Sequence, residues 1–441
     1  MTPQSTFLIL APVREGRVEE LRTVLNGMTT KPGLADPENP LVPFRAFDRL
    51  HVARFLIIEA DTWRDIEAYG ITAHPYPVQL AFVGDVDGDR DSFLDELVEQ
   101  ADEGLRKIFA YCDGFDTGTN LRRWMVRHNV QEAANYVNTR GRTVQQIREE
   151  AALCQALGAE LARVVEAHGA ADATQLHERL AHFVDLEQRA GRLPLTPPER
   201  MPLGRKIANG IEMIGVPLGL VLISPLLLLL LPFLLWRLRS LERSDPEILP
   251  RPDDAKIVAL GAQEDHDVTN PFSAIGDLKP GPFRRATATT FLYLLNYAAK
   301  YIYGRGYLTR VQTIHFARWV FLDNKRRVLF CSNYDGALEA YMDDFVNKVA
   351  WGLNIVFSNG VGYPSTRYLL KDGASQESKF KRYLRNRQQL NNVWYKAYPG
   401  LTARDLARHS EIRAGLETRP NSSRALRLWL SKIRTTAEGT P

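Results

Sequence analysis

Two short strings place the same pair of chemically capable side chains in each half of the chain. LHVARF holds His51 and Arg54, and IHFARW holds His315 and Arg318. A histidine can ligate a haem iron. An arginine can hold an anion, such as a carboxylate or a haem propionate, through its fork of donors. Residues three apart on a strand point to opposite faces, so each histidine and the arginine of its own string serve separate sites. The structural alternatives are a hydrogen-bonded core histidine and an arginine buried against a carboxylate. Asp87 and Asp335 stand where a strand runs into a helix, a place that helix capping explains. Asn333 and Tyr334, on the same strand-to-helix turn as Asp335, and Asn359 and Tyr363, on a later loop, are polar residues expected to line a ligand site. The run Glu264-Asp265-His266-Asp267 reads as a solvated loop, because consecutive side chains diverge, and no metal site is expected. The sequence carries no nucleophile elbow, zinc-protease helix, Walker loop or calcium loop.

These residues sit inside a larger self-similarity. ILAPVREG at Ile9–Gly16 corresponds to AIGDLKPG at Ala274–Gly281, and Asp87–Gly104 aligns without a gap to Asp335–Gly352. Gly141–Leu157 aligns to Gly400–Leu416, so that with the His/Arg strings four blocks run in one order. Apolar patterning predicts strands at Phe7–Val13, Leu50–Glu59, Gln79–Gly84 and Leu121–Arg127, with helices at Arg17–Met28 and Ser92–Phe109. The second half follows with strands Phe272–Leu278, Thr313–Leu322, Arg327–Ser332 and Thr366–Leu370 and helices Phe283–Tyr303 and Leu338–Phe357. This is the ferredoxin-like βαββαβ order. Such a unit leaves one sheet face bare, so the expectation is an α+β protein whose two repeats pack as a pseudo-dimeric α/β barrel, with a ligand pocket between them. The division expected is repeat one (1–158), a helical linker (159–212), a hydrophobic segment (213–236), a linker (237–271), repeat two (272–417) and a basic tail (418–441).

Met213 to Trp236 reads MIGVPLGLVLISPLLLLLLPFLLW, 24 residues without a charge. About 20 apolar residues suffice to cross a bilayer, and the block has no polar face to turn to water. Pro217, Pro225 and Pro232 interrupt it, and Pro225 lies at its centre. Arg200, Arg205 and Lys206 precede it, and Arg237, Arg239 and Arg243 follow. Basic flanks on both sides place both in the cytoplasm, so a re-entrant hairpin bent near Pro225 is expected, with a straight span as the alternative.

The whole chain of 441 residues carries a net charge of +4, yet its last 66 residues hold 14 Lys and Arg against five Asp and Glu. NSSRALRLWLSKIR at Asn421–Arg434 reads as a basic amphipathic helix for a membrane surface, with Trp429 on its apolar side. The aromatic run Phe291, Tyr293, Tyr297, Tyr301, Tyr303 and Tyr307 also suits an interface. No nucleic-acid motif accompanies the basic tail, so nucleic acid is not an expected partner. Three cysteines, none in a Cys-x-x-Cys pair, fit a reducing compartment better than a disulfide framework.

The blocks IHFARWVFLDNKRRVLFCSNYDG, MDDFVNKVAWGLNIVFSNGVGYP and NPFSAIGDLKPGPFR resemble a poorly characterised bacterial membrane-associated family with two ferredoxin-like halves. At fold level the chain is similar to the dimeric α/β barrel superfamily, which includes dye-decolourising peroxidases, chlorite dismutase-like haem proteins and antibiotic-biosynthesis-type monooxygenases. Asp335-Gly336 resembles the peroxidases' Asp-Gly dipeptide, but its surroundings differ and no catalytic residue carries over. The resemblance implies the cytoplasmic face of a bacterial inner membrane. It also implies an oxidoreductase that acts on a lipophilic ligand, with haem as its cofactor or with none. A non-catalytic module that binds the bilayer, a lipophilic small molecule or a partner protein, a second copy included, is the other reading.

Overall fold

The computed structural model describes residues 4–59, 62–168, 172–198, 201–249, 252–303 and 311–437; Arg200 and Tyr307 lie outside the described residues. The first half runs β1 (Gln4–Pro12), α1 (Val18–Asn26), β2 (Thr29–Lys31), β3 (Gly33–Ala35), β4 (Leu50–Ile58), β5 (Gln79–Asp87), α2 (Arg90–Phe109), α3 (Leu121–His128), β6 (Ala134–Val137) and α4 (Val144–His168). Between the halves lie α5 (Ala173–Arg189), α6 (Leu203–Ser244) and α7 (Asp254–Gly261). The second half runs β7 (Thr269–Asp277), α8 (Pro282–Tyr301), β8 (Ile314–Leu322), β9 (Arg327–Asp335), α9 (Leu338–Phe357), β10 (Thr366–Arg367), β11 (Lys371–Asp372), α10 (Glu377–Arg387), β12 (Val393–Lys396) and α11 (Ala403–Glu417), and α12 (Ser423–Ala437) ends it.

The fold is mixed α+β. One six-stranded sheet has the order β1-β5-β4-β12-β3-β2, and a four-stranded sheet has the order β6-β8-β9-β7. The short last strand of each half lies in the other half's sheet: β12 pairs with β4, and β6 with β8, both antiparallel. The segments leading into these strands stitch the sheet edges, since Val130 N–H donates to Leu8 O and Gln389 N–H to Ser273 O, each at 2.8 Å. No continuous ladder closes the two sheets into one barrel among the described residues.

Alternation decides what each sheet face buries. One face of each packs on the other sheet, with Leu8, Leu56, Ile58, Ala81 and Val83 meeting Ile275, Val320, Leu322, Leu329 and Cys331. The outer face of the first sheet holds Phe7, Phe55 and Phe82 against α2. The outer face of the second holds Phe272, Trp319 and Phe330 against α8 and α9. Both faces of β4 and β8 are therefore apolar, as expected of strands covered on two sides.

Three expectations are corrected. Leu121–Arg127 is helical: Asn120 caps it by accepting from Arg123 N–H, and Leu121, Trp124 and Met125 bury one face at i, i+3 and i+4. The closing strands are β6 and β12 instead.

The apolar block does not turn back at Pro225. It is part of the single helix α6, 42 residues with all three prolines inside. Proline removes the N–H that would bond the carbonyl four residues earlier. Here the Ser224 hydroxyl donates to Val221 O at 2.7 Å, the carbonyl that Pro225 leaves free. The Tyr297 hydroxyl donates to Met213 O at 2.7 Å, the one that Pro217 leaves free. By length and composition, α6 is the one helix among the described residues able to cross a membrane, and none of its 18-residue apolar window is buried. Met213 and Trp236 are exposed along with it.

The tail helix α12 is docked on its own protein. Leu426, Trp429, Leu430 and Ile433 pack among α4, α5 and α11, and Trp429 Nε1–H donates to Ile412 O at 2.9 Å. A Cβ on Gly415 would overlap the Trp429 ring at 2.2 Å, so this glycine sets the close approach. Trp429 is therefore a core anchor and has no surface to offer a membrane.

Candidate functional site

Each histidine of the doubled strings occupies an irregularity in its strand. The β4–β5 register passes from Leu50↔Val86 to Val52↔Asp85, and the β8–β9 register from Ile314↔Tyr334 to Phe316↔Asn333. His51 and His315 are the extra residues, and such a bulge re-aims a side chain. His51 Nε2 meets Asp87 Oδ1 at 2.9 Å, and His315 Nε2 meets Asp335 Oδ1 at 2.6 Å. The second oxygen of each aspartate accepts a helix-opening amide, Val144 N–H of α4 at 2.8 Å and Ala403 N–H of α11 at 2.7 Å. These aspartates do cap helices, but not those that follow them in sequence; Asp89 is the N-cap of α2. Tyr398 reaches His51 Nδ1 at 3.2 Å, and its ring lies 6.5 Å from that of His315. Burial holds His315 below the ordinary imidazole range, with the Asp335 carboxylate opposing it.

The arginines form a reciprocal pair across the two sheets. Arg54 of β4 donates to Phe272 O at 3.0 Å and Ser332 O at 3.1 Å, on β7 and β9. Arg318 of β8 donates to Phe7 O at 3.0 Å and Gly84 O at 3.1 Å, on β1 and β5. Their side-chain partners differ. Arg318 pairs with the Asp85 carboxylate. Arg54 meets Asn333 and Asn391, both neutral, and its guanidinium lies over the Trp394 ring at 4.8 Å. Burial lowers Arg54 to about 10 and raises the Asp85 carboxyl, which the Arg318 charge opposes. These forks are occupied by the protein's own oxygens.

These residues do not fit a haem. The space between the sheets, where a haem would have to lie, is filled by apolar side chains and by the two arginines, Arg318 on Asp85 and on carbonyls and Arg54 on carbonyls and amides. Of the other candidates, only Asn333 joins Arg54. Tyr334 stacks on Tyr341 at 4.0 Å, and Tyr363 donates to Asn354 Oδ1 at 2.8 Å behind the second sheet. Asn359 is fully buried on the loop after α9, and its main-chain oxygen accepts from Lys279 N–H.

Open space lies elsewhere, under α8 and α9 on the outer face of the second sheet. A cavity of ≈ 80 Å³ is lined by Phe272, Ala317, Trp319, Phe345, Gly352 and Leu353, among other apolar residues. A neighbouring cavity of ≈ 40 Å³ shares Trp319, Phe330 and Phe357 with it and ends at Tyr383 and Arg387. Arg387 donates to Asp65 Oδ2 at 2.8 Å and Val361 O at 2.7 Å. Its buried Nε–H has no partner among the described residues. The space is thus apolar with one donor at its end.

The first half shows what fills this space when it is closed. Gly104 of α2 and Gly352 of α9 end the aligned blocks. A Cβ on Gly104 would lie 1.8 Å from Leu41 O, because the loop bearing Leu41, Val42, Phe44 and Phe47 is pressed onto α2. A Cβ on Gly352 would meet nothing within 4 Å. Sequence reasoning missed the cavity because its lining looks like ordinary core. The one available signal was a glycine kept at the same helix position in both blocks.

Comparison with protein-family models, with curated proteins and with solved structures finds no match to this chain.

Proposed function

We propose that the protein is a membrane-associated binding module that takes up a lipophilic ligand in the cavity beneath α8 and α9. The observation that carries this reading is the contrast at one helix position: Leu41 closes the space over Gly104, while the space over Gly352 is open and apolar. Apolar pockets with a few placed polar groups are where small ligands bind; the larger cavity, ≈ 80 Å³, admits a ligand of only a few carbon atoms, and Arg387, whose Nε–H has no partner among the described residues, borders the smaller one. The exposed 24-residue apolar stretch of α6 supports membrane association, since water would penalise it along its whole length. A lipophilic ligand then reaches the cavity from the bilayer.

We further propose that the two halves are repeats arranged as a pseudo-dimer of the dimeric α/β barrel kind, at the cytoplasmic face of a bacterial membrane. The matching order of elements, the exchange of β6 and β12, and the reciprocal reach of Arg54 and Arg318 support the pseudo-dimer. The binding module is preferred to an oxidoreductase because the histidines and arginines that motivated redox chemistry have protein partners.

The test is native mass spectrometry of the full chain released from mild detergent. The expected result is an additional apolar mass bound one to one, absent from Ala317→Phe, which fills the cavity floor. Protein without such a mass, and with no binding of an added short-chain alkane, would overturn the ligand assignment.

A further inference from the structure

α6 is held at both ends by the same body. At its start, Glu212 accepts from Lys300 at 2.5 Å and from the Tyr301 hydroxyl at 2.8 Å, and Tyr297 donates to Met213 O. These three residues form the C-terminal end of α8. At its finish, Asp245 pairs with Arg284 at 2.5 Å and Lys279 at 2.8 Å, and Arg284 stands in the first turn of α8. Glu242, 6% exposed, accepts from the Thr366 hydroxyl and from the Tyr368 and Leu369 amides. Both ends of α6 are therefore clamped to the two ends of α8, in antiparallel sense. As straight helices Glu212–Asp245 would measure about 50 Å and Arg284–Tyr301 only about 26 Å, so α6 bows outward between its clamps, and nothing between Met213 and Trp236 is buried.

We infer that α6 dips into one leaflet of a bilayer and returns to the same face without crossing it, an inference that rests on the membrane association proposed above. A span would put Glu212 and Asp245 on opposite sides of a hydrocarbon core about 30 Å thick. α8 would have to follow, because each end of it holds one of them. But α8 buries Arg284, Ala288, Leu292 and Ala299 in the body, which cannot accompany it through lipid. Lipid is the occupant that fits. The stretch is apolar on every side, and Arg205, Lys206, Arg237 and Arg243 flank it, placed for anionic headgroups. Tyr293, Tyr297 and Tyr301 repeat every fourth residue along α8, and the last two touch the start of α6. A tyrosine stripe of this kind belongs at the headgroup level.

The test uses the full chain bound from outside to vesicles of equimolar phosphatidylcholine and phosphatidylglycerol. Single cysteines replace Arg205, Leu218, Leu226, Leu235 or Arg243; the native Cys112, Cys154 and Cys331 are buried. The expected result is that R205C and R243C react equally with a membrane-impermeant maleimide. Probes at 218, 226 and 235 should all be quenched within the depth of the bound leaflet, with 226 the deepest. Protection of one flank by about tenfold or more signals a span and overturns the inference. So does a probe at 226 that lies beyond the bilayer midplane. Failure of the wild-type chain to float with the vesicles overturns the membrane reading itself, a separate outcome seen before any labelling.

Discussion

The first half of the molecule is closed and charge-balanced, and the second half is neither. Behind the first sheet, Phe7, Phe55, Phe82 and Phe93 stack at ring separations of 4.1 to 5.7 Å, and the Leu41 loop seals α2. Behind the second, Phe272, Ala317 and Trp319 face open space. Between the sheets, the arginine reaching into the first half finds the Asp85 carboxylate, and the arginine reaching into the second finds the amide of Asn333. On the repeat proposed above, one copy serves as scaffold, and the other holds unfilled volume and an arginine with no ion-pair contact among the described residues. Function is best sought where packing is incomplete.

The largest effect should separate the two arginines. Arg318→Met strands Asp85 as a buried carboxylate without its counter-charge, which costs about 3–5 kcal/mol. Arg54→Met leaves neutral oxygens unsatisfied and removes a cation that has no direct carboxylate contact among the described residues, so it should cost less in urea unfolding. Equal losses would break the asymmetry.

Acid should act next. Burial lowers His409 of α11 to about 4 and also lowers His315. The unfolded chain takes up protons near pH 6.5 that these folded imidazoles refuse. The stability they contribute is therefore complete above pH 6.5 and is lost as the pH falls toward 4. The loss at His409 is up to about 3 kcal/mol. His409→Gln should flatten the urea midpoint over that window; an unchanged slope would remove His409 as its source.

The glycine pair sharpens the comparison with changes of opposite sign. Gly104→Ala drives a methyl into the Leu41 backbone, which should cost about 1–3 kcal/mol. Gly352→Ala meets open space within a helix and should stabilise by about 0.5–1 kcal/mol. Thermal midpoints that move in the same direction would show that the second cavity is already filled. The smallest effect is expected at the tail. Arg424→Glu with Arg427→Glu should leave vesicle flotation within about twofold, because α12 packs on its own core and α6 is the proposed membrane contact.

The α+β class and the long strands were legible in apolar runs such as Leu50–Ile58, where period and length agree. The helix at Leu121 was not, since eight residues with four apolar positions suit either a strand or a helix until Asn120 caps them. Strict alternation has no way to show the extra residues at His51 and His315, so the aspartate partners stayed hidden. The prolines argued for a bend in α6 because the hydroxyls that replace their missing bonds come from Ser224 and from the distant Tyr297. The cavity was illegible because Trp319 and Phe330 read as core, and only a missing neighbour distinguishes a lining residue from a packed one.

The central claim meets its most direct test in a titration of a short-chain alkane with the wild-type chain and with Gly352→Leu, which places in the second half the plug that Leu41 provides in the first. The account predicts saturable binding to the wild type and a loss of affinity of at least about tenfold in the variant, with its thermal midpoint maintained. Equal affinity in the two proteins would contradict it.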